Sequence, residues 1–178
     1  MNKILSLCDY TQTWGSQYED EYEVIYVDLQ RGQDVRLFKH TDSVHGIIAQ
    51  PPCDHFAGSG ARWWAGKGDE ALLSGLQLVD ACMRIILAHR PVWWVLENPV
   101  GRLRDYIGPS VATYNPCDYG DPYTKRTCLW GEFTMPQKNP VEPTEGSKMH
   151  LVPPGPEQKN IRSATPLGFA KAFRMANP

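Results

Sequence analysis

The chain lacks the cysteine patterns that mark zinc ribbons and disulfide frameworks. It has five cysteines in 178 residues, an odd number, and no two of them form a Cys-x-x-Cys pair. Disulfide frameworks use even sets of cysteines, and structural zinc sites use closely spaced pairs. We therefore expect no disulfide framework and no metal site, and we interpret Cys8, Cys82, Cys117 and Cys128 as core or near-core residues.

Long apolar runs and an excess of positive charge are also missing. No apolar stretch is expected to reach membrane-spanning length, and the first residues, 1–8, lack a signal-peptide pattern. The formal net charge is −2, which is not the charge of a protein that binds nucleic acid unaided. We expect one cytoplasmic domain over 1–178, with no membrane contact.

Strand-like and helix-like segments alternate along the chain. Runs rich in β-branched and aromatic residues predict strands at 4–8, 23–27, 44–49, 91–99, 112–115 and 127–130. Apolar spacing and end signals predict helices at 69–89 with Asp69 as N-cap, at 99–107, and from Thr165 and Pro166 through Met175. This order predicts an α/β fold with a mostly parallel sheet flanked by helices. Residues 134–160 are rich in proline and are predicted to be an irregular arm.

Two of the predicted strands end in proline next to a reactive side chain. One run ends in Pro51-Pro52-Cys53 and the other in Glu97-Asn98-Pro99. Because proline cannot donate to a sheet ladder, each strand stops there, at the carboxyl end where α/β folds bind ligands. A thiolate can add to an electron-poor ring carbon while a carboxylic acid protonates the ring nitrogen that receives the charge. The pair predicts covalent catalysis on a ring such as cytosine, with attack at C6, assistance at N3 and alkylation at C5.

The loop that follows Cys53 is rich in glycine and tryptophan. Its residues Arg62, Trp63 and Trp64 could close over a planar substrate such as a base, and the alternative is that both tryptophans pack beneath the loop. His55 is expected to be exposed to solvent.

Four basic residues could form a positively charged face beside the candidate site. They are Arg102, Arg104, Lys125 and Arg126, and the alternative is a solvated surface of mixed charge.

The two strand-end motifs, in this order and separated by a long helix, resemble the catalytic-loop and glutamate motifs of the DNA cytosine-5 methyltransferases. The segment 119–130, in the place of the family's basic motif, is similar to forms in phage and prophage genomes. The resemblance implies a truncated Rossmann-like fold that uses S-adenosylmethionine (SAM) to methylate DNA. It makes Cys53 the nucleophile, Glu97 the acid at N3, and Asn98 a residue that holds the catalytic loop or strand end.

The resemblance also implies a set of cofactor contacts. Asp28 fits the acidic residue that binds the ribose hydroxyls of SAM, and Asp34 with Val35 resembles the segment that contacts the adenine. The other residues expected on the cofactor side are Asp9, Thr11 and Pro51.

The chain departs from the family at three places. Tyr10 and Gln12 stand in the loop where the family has glycines that approach SAM, and Asp54 replaces a common glutamine. A target-recognition domain is missing, because the segment 134–160 is too short to form one. A homo-oligomer, a partner protein, relaxed specificity or a smaller substrate would each compensate.

DNA methylation is therefore the leading interpretation, and three others stay open. The first is the same chemistry on a cytosine nucleotide or on RNA. The second is a catalytically inactive subunit that binds nucleic acid or a partner protein. The third is a thiol-dependent hydrolase, although no histidine motif accompanies Cys53.

Overall fold

A six-stranded sheet forms the centre of the protein, and the computed structural model describes it together with all other residues, 1–178. Along the sheet the strands follow the order β2-β1-β3-β4-β6-β5. In chain order they are β1 (Lys3–Leu7), β2 (Glu23–Val27), β3 (Val44–Ala49), β4 (Trp93–Pro99), β5 (Ala112–Tyr114) and β6 (Thr127–Glu132). The predicted strands are thus all present, within a few residues at each end.

Strands β1 to β4 run parallel, so their carboxyl ends meet at one edge of the sheet. The strand order has a switch point at β1, because the next strand in sequence, β2, lies on one side of β1, and β3 lies on the other. In open α/β sheets, ligands bind in the crevice at such a switch point. The fold therefore places its binding crevice between the ends of β1 and β3.

The other part of the sheet departs from the parallel arrangement. Strand β6 pairs antiparallel with both β4 and β5. A parallel return needs a long crossover that is usually an α-helix, whereas a short 3-10 helix, Pro116–Tyr119, is the regular element between β5 and β6. The sheet is consequently mixed, with a parallel half that carries the strand ends of interest.

Helices cover both faces of the sheet. They are α1 (Trp64–His89), α2 (Arg104–Ile107), α3 (Gln158–Ser163) and α4 (Leu167–Ala176). Side chains alternate between the faces of each strand, so Leu5 and Ile47 pack with the buried residues of α1, while Ile4 and Ile48 pack with those of α4. Two apolar clusters result, one on each face.

Helix α1 begins earlier than predicted and is more apolar than expected. It starts at Trp64, but Gly68 interrupts it with φ 69° and ψ −177°, so regular helix resumes at the predicted Asp69. By length and composition the helical stretch Gly58–His89 could cross a membrane, contrary to the expectation from the sequence. Part of its apolar character is explained by Val79 and Cys82, which are fully buried against the sheet, as in the core helix of a globular protein.

Three further helix boundaries differ from the predictions. Helix α2 begins at Arg104 because Pro99 still pairs with Thr127 in the sheet. Helix α4 begins after Pro166, and Thr165 does not cap it, since the Thr165 hydroxyl accepts a hydrogen bond from Gln50 instead. Helix α3 begins inside the segment 134–160, which is otherwise irregular apart from the 3-10 helix Lys148–Leu151.

The packing of α4 on the sheet can be tested with Phe173→Ala. Phe173 is fully buried among Trp14, Trp93 and Phe133. Its truncation should lower the free energy of unfolding by about 3–5 kcal/mol, as measured by urea denaturation. Met175→Ala is the control on the same helix, because Met175 is 84% exposed, and equal effects of the two substitutions would contradict this packing.

Candidate active site

A cavity of about 590 Å³ opens at the carboxyl edge of the parallel strands. This volume lies within the range of small-molecule sites, roughly 300–1,000 Å³. Residues from the ends of all four parallel strands line it: Asp9 after β1, Asp28 after β2, Cys53 after β3 and Glu97 at the end of β4. The sheet thus brings together side chains that are far apart in the sequence.

Cys53 is half-buried at the start of the turn that follows β3. Its carbonyl accepts hydrogen bonds from the backbone N–H groups of Phe56 and Ala57, at 2.9 and 3.0 Å. Burial raises the pKa of the Cys53 thiol to about 11, the carboxylates of Glu97 and Asp54 add to the rise, and the Lys125 ammonium opposes it. A raised pKa favours the neutral thiol over the thiolate at neutral pH.

Glu97 lies in β4 with 8% of its surface exposed. Burial raises the pKa of the Glu97 carboxyl, while the Lys125 ammonium and the nearby Gln50 amide oppose the rise. A carboxyl with a raised pKa keeps its proton at higher pH, so Glu97 is suited to donate a hydrogen bond or a proton into the cavity.

Asn98 connects the ends of β3 and β4. Its side-chain Nδ2 donates to the Pro51 carbonyl at 2.8 Å, across the two strand ends. This bond fixes the orientation of the amide, and the buried Oδ1 has no hydrogen-bond partner. The Pro51 peptide, two residues before Cys53, is thereby tied to the residue that follows Glu97.

The expected cofactor residues form one wall of the cavity. Asp28 is 8% exposed, and its Oδ1 accepts the Gln30 backbone N–H at 2.8 Å. Val35 is buried beside the cavity, and Pro51 lines it. Asp34 also lines it but forms an ion pair with Arg36 at 2.6 Å, and the hydrogen bond from Arg36 lowers the pKa of Asp34.

Asp9 organises the loop after β1. Its buried carboxylate accepts hydrogen bonds from the Ser6 hydroxyl at 2.8 Å, the Gln12 backbone N–H at 2.9 Å and the Gly15 backbone N–H at 3.3 Å. Thr11 donates to the same carboxylate at 3.3 Å and lines the cavity with it. Both residues are thus at the cavity, but the Asp9 carboxylate is already occupied in shaping the loop.

The residues expected to contact substrate fall into two groups. Lys125 lines the cavity, and its Nζ donates to the Ala164 carbonyl at 3.1 Å. The others do not line the cavity: Arg62, Trp63, Trp64, Arg102 and Arg126. Trp63 is 59% exposed, whereas Trp64 is half-buried with the Arg102 guanidinium 4.4 Å from its ring centroid. The loop therefore reaches the cavity through Ala57, Ser59 and Gly60, and not through the arginine and tryptophans expected to cover a base.

Sequence reasoning missed the wall that residues 147–163 contribute. Met149, His150, Lys159 and Arg162 of this segment line the cavity, and Lys159 pairs with Asp54 at 2.6 Å. No local signal marks such a contribution, because the segment is distant in sequence from the strand ends that form the rest of the cavity.

Gln50 was also missed, although its position directly after a strand was a usable signal. Its Nε2 donates to the Thr165 hydroxyl at 2.6 Å, and its Oε1 is buried without a partner.

Comparisons with known proteins bear on the fold. No family model and no curated protein matches the chain. A crystal structure of a prophage-encoded protein from E. coli, assigned provisionally as a DNA modification methyltransferase, matches with a TM-score of 0.51 at 15% sequence identity. The match covers 74% of this chain and 46% of the other, so this chain spans about half of that protein's length. The likeness shows a shared Rossmann-like methyltransferase fold.

Replacing Glu97 by glutamine tests the buried acid. The folded-state pKa of Glu97 is raised, so its stability contribution is present at low pH and is lost as pH rises from the unfolded pKa through the folded one. Glu97→Gln should therefore unfold at a higher urea concentration than wild type at pH 7, with a smaller difference at pH 4. Glu132→Gln, at an exposed position of β6, is the control. An identical pH dependence for wild type and Glu97→Gln would contradict the raised pKa.

Proposed function

We propose that the protein transfers a methyl group from SAM to C5 of cytosine in DNA, with Cys53 as nucleophile and Glu97 as acid. One observation carries the proposal: Cys53, Glu97 and Asp28 come from three strand ends and line one cavity in a methyltransferase fold. A thiol, a carboxyl with a raised pKa and a carboxylate suited to a ribose are the groups that this reaction requires.

The chemistry follows from the properties of the two catalytic groups. The Cys53 thiol loses its proton to solvent, and its sulfur forms a bond to C6 while Glu97 gives a proton to N3. The ring is then an enamine whose C5 electron pair would take the methyl carbon from bound SAM as the bond between that carbon and the SAM sulfur breaks. N3 then returns its proton to Glu97, the C5 proton passes to solvent, and the Cys53 sulfur leaves C6 as a thiolate, which restores the aromatic ring. Lys125 assists at the start because its ammonium lowers the pKa of Cys53.

Unpartnered acceptors in the cavity favour cytosine over other bases. Asn98 Oδ1 and Gln50 Oε1 are buried without partners, and both residues line the cavity with Glu97. Cytosine presents an amino donor at N4 beside the N3 acceptor, whereas thymine presents a carbonyl at the corresponding position. An acid at N3 with amide oxygens near N4 therefore complements the edge of cytosine.

The cofactor wall fits SAM, which supplies an electrophilic methyl carbon when bound. The Asp28 carboxylate would hold the ribose hydroxyls, and Val35 would pack against the adenine. The cavity extends from these residues to Cys53, as transfer between the two sites requires.

Two observations favour two other candidate functions, one observation for each. Lys159 and Arg162 in the cavity wall could hold the phosphates of a free cytosine nucleotide, which needs no recognition domain. The high pKa of Cys53 would suit a catalytically inactive binding subunit. Label transfer from SAM to duplex DNA, single-stranded DNA, RNA and dCTP, measured side by side, separates these functions, and the absence of SAM binding would favour the inactive subunit.

Cys53→Ala tests the covalent step. Wild-type protein with SAM should remain attached to DNA that contains 5-fluorocytosine after denaturation, because fluorine blocks the loss of the C5 substituent. Cys53→Ala should form no adduct and should methylate ordinary DNA slower by on the order of 10³ or more, as expected when a nucleophile is removed. Cys117→Ser, outside the cavity, is the control. Equal methylation by wild type and Cys53→Ala would refute this mechanism.

Asp28→Asn tests the cofactor wall. The substitution removes a charged acceptor for the ribose hydroxyls, so calorimetry should show SAM binding about tenfold weaker or more. Asp80→Asn, at an exposed position of α1, should bind SAM like wild type. SAM binding that is unchanged in Asp28→Asn would place the cofactor elsewhere.

A further inference from the structure

Three buried nitrogen atoms without hydrogen-bond partners belong to residues beside Cys53. They are His55 Nδ1, Trp64 Nε1 and Arg102 Nη2. Buried polar atoms in native proteins nearly always have partners, so unpartnered ones call for an explanation such as a ligand. The expectation that His55 is solvent-exposed is wrong, because the residue is half-buried and its Nδ1 is covered.

Direct contacts join Arg102 to the Trp64 side chain and to the His55 backbone. The Arg102 guanidinium lies 4.4 Å from the centroid of the Trp64 ring, and Arg102 Nε donates to the His55 carbonyl at 2.8 Å. The Arg102 backbone N–H also donates to the Phe56 carbonyl at 2.9 Å. The segment after β4 is thereby joined to the turn that carries Cys53.

Positive charge prevails around the cluster. Lys67 Nζ donates to the Asp54 carbonyl at 2.8 Å, next to His55. The nearby carboxylate, that of Asp54, is already paired with Lys159 at 2.6 Å. Burial lowers the pKa of His55, and the charges of Lys67, Arg102 and Lys159 lower it further against the opposing effect of Asp54. The Trp64 indole N–H and the Arg102 guanidinium are donors within surplus positive charge, and this combination is suited to an anion.

We propose that His55, Trp64 and Arg102 form a phosphate-binding site beside the nucleophile. A guanidinium and neighbouring N–H groups match the oxygens of a phosphate group. The ligand is a phosphate of the substrate, either in a nucleic-acid backbone or in a nucleotide, and in this respect the inference rests on the proposed function. Because the donors are buried, the phosphate reaches them when the chain that covers them moves outward. Bound there, it would position the attached nucleoside relative to Cys53.

Trp64→Phe tests the site with a small change. The substitution keeps an aromatic ring beneath Arg102 and removes the indole N–H. Anisotropy of a labelled cytosine-containing oligonucleotide, measured without SAM, should show binding weaker by about tenfold, as expected for one lost hydrogen bond to a charged acceptor. Trp14→Phe is the matched control, because Trp14 Nε1 is also buried without a partner but lies among Phe169 and Phe173, away from the cluster.

A charge variant and a second ligand complete the test. Arg102→Gln should reduce the slope of log K against log salt concentration by about one, while Trp64→Phe should leave the slope unchanged. Weaker binding of the oligonucleotide by Trp64→Phe assigns the site to a backbone phosphate, and weaker binding of dCTP alone assigns it to a nucleotide. Unchanged binding of both ligands, or an equal loss in Trp14→Phe, would overturn the site. Because no SAM or turnover is involved, these results are independent of adduct formation at Cys53.

Discussion

The hydrogen bond from Asn98 Nδ2 to the Pro51 carbonyl is the constraint on which the candidate site depends. The sheet pairs β3 with β4 only as far as Ala49 and Leu96, and beyond these residues the two chains would be free to diverge. The bond from Asn98 extends their association past the end of the pairing. It therefore sets the relative positions of Glu97, one residue before Asn98, and Cys53, two residues after Pro51.

Burial acts on both proposed catalytic groups in the same direction. It raises the pKa of the Cys53 thiol and that of the Glu97 carboxyl, and the Lys125 ammonium opposes both rises. The protonated carboxyl is the form that the proposed chemistry needs, whereas the protonated thiol is not. Formation of the thiolate therefore has to accompany substrate binding, and cationic groups near Cys53 become important. Lys125, which lines the cavity, is such a group.

Much of the parallel sheet could be predicted from the sequence because its strands end in strong local signals. The prolines next to Cys53 and Glu97 end two strands. Because the carboxyl ends of parallel strands meet at one edge of an α/β sheet, the side chains of Cys53 and Glu97 are expected at that edge. The direction of β6 could not be predicted, since it depends on what lies between β5 and β6. The wall from residues 147–163 was missed because long-range contacts such as Lys159 with Asp54 leave no periodic pattern. The position of Trp64 depends on Arg102, which is also far from it in sequence.

The central claim is that Cys53 and Glu97 act together on C5 of cytosine. Mass spectrometry of the nucleosides in DNA from cells that express the protein tests this claim most directly, with cells expressing Cys53→Ala for comparison. The account predicts 5-methyldeoxycytidine in the first sample and none above background in the second. Methylation on an exocyclic amino group, as N4-methyldeoxycytidine or N6-methyldeoxyadenosine, would contradict it, because that reaction does not need a thiol that adds to C6.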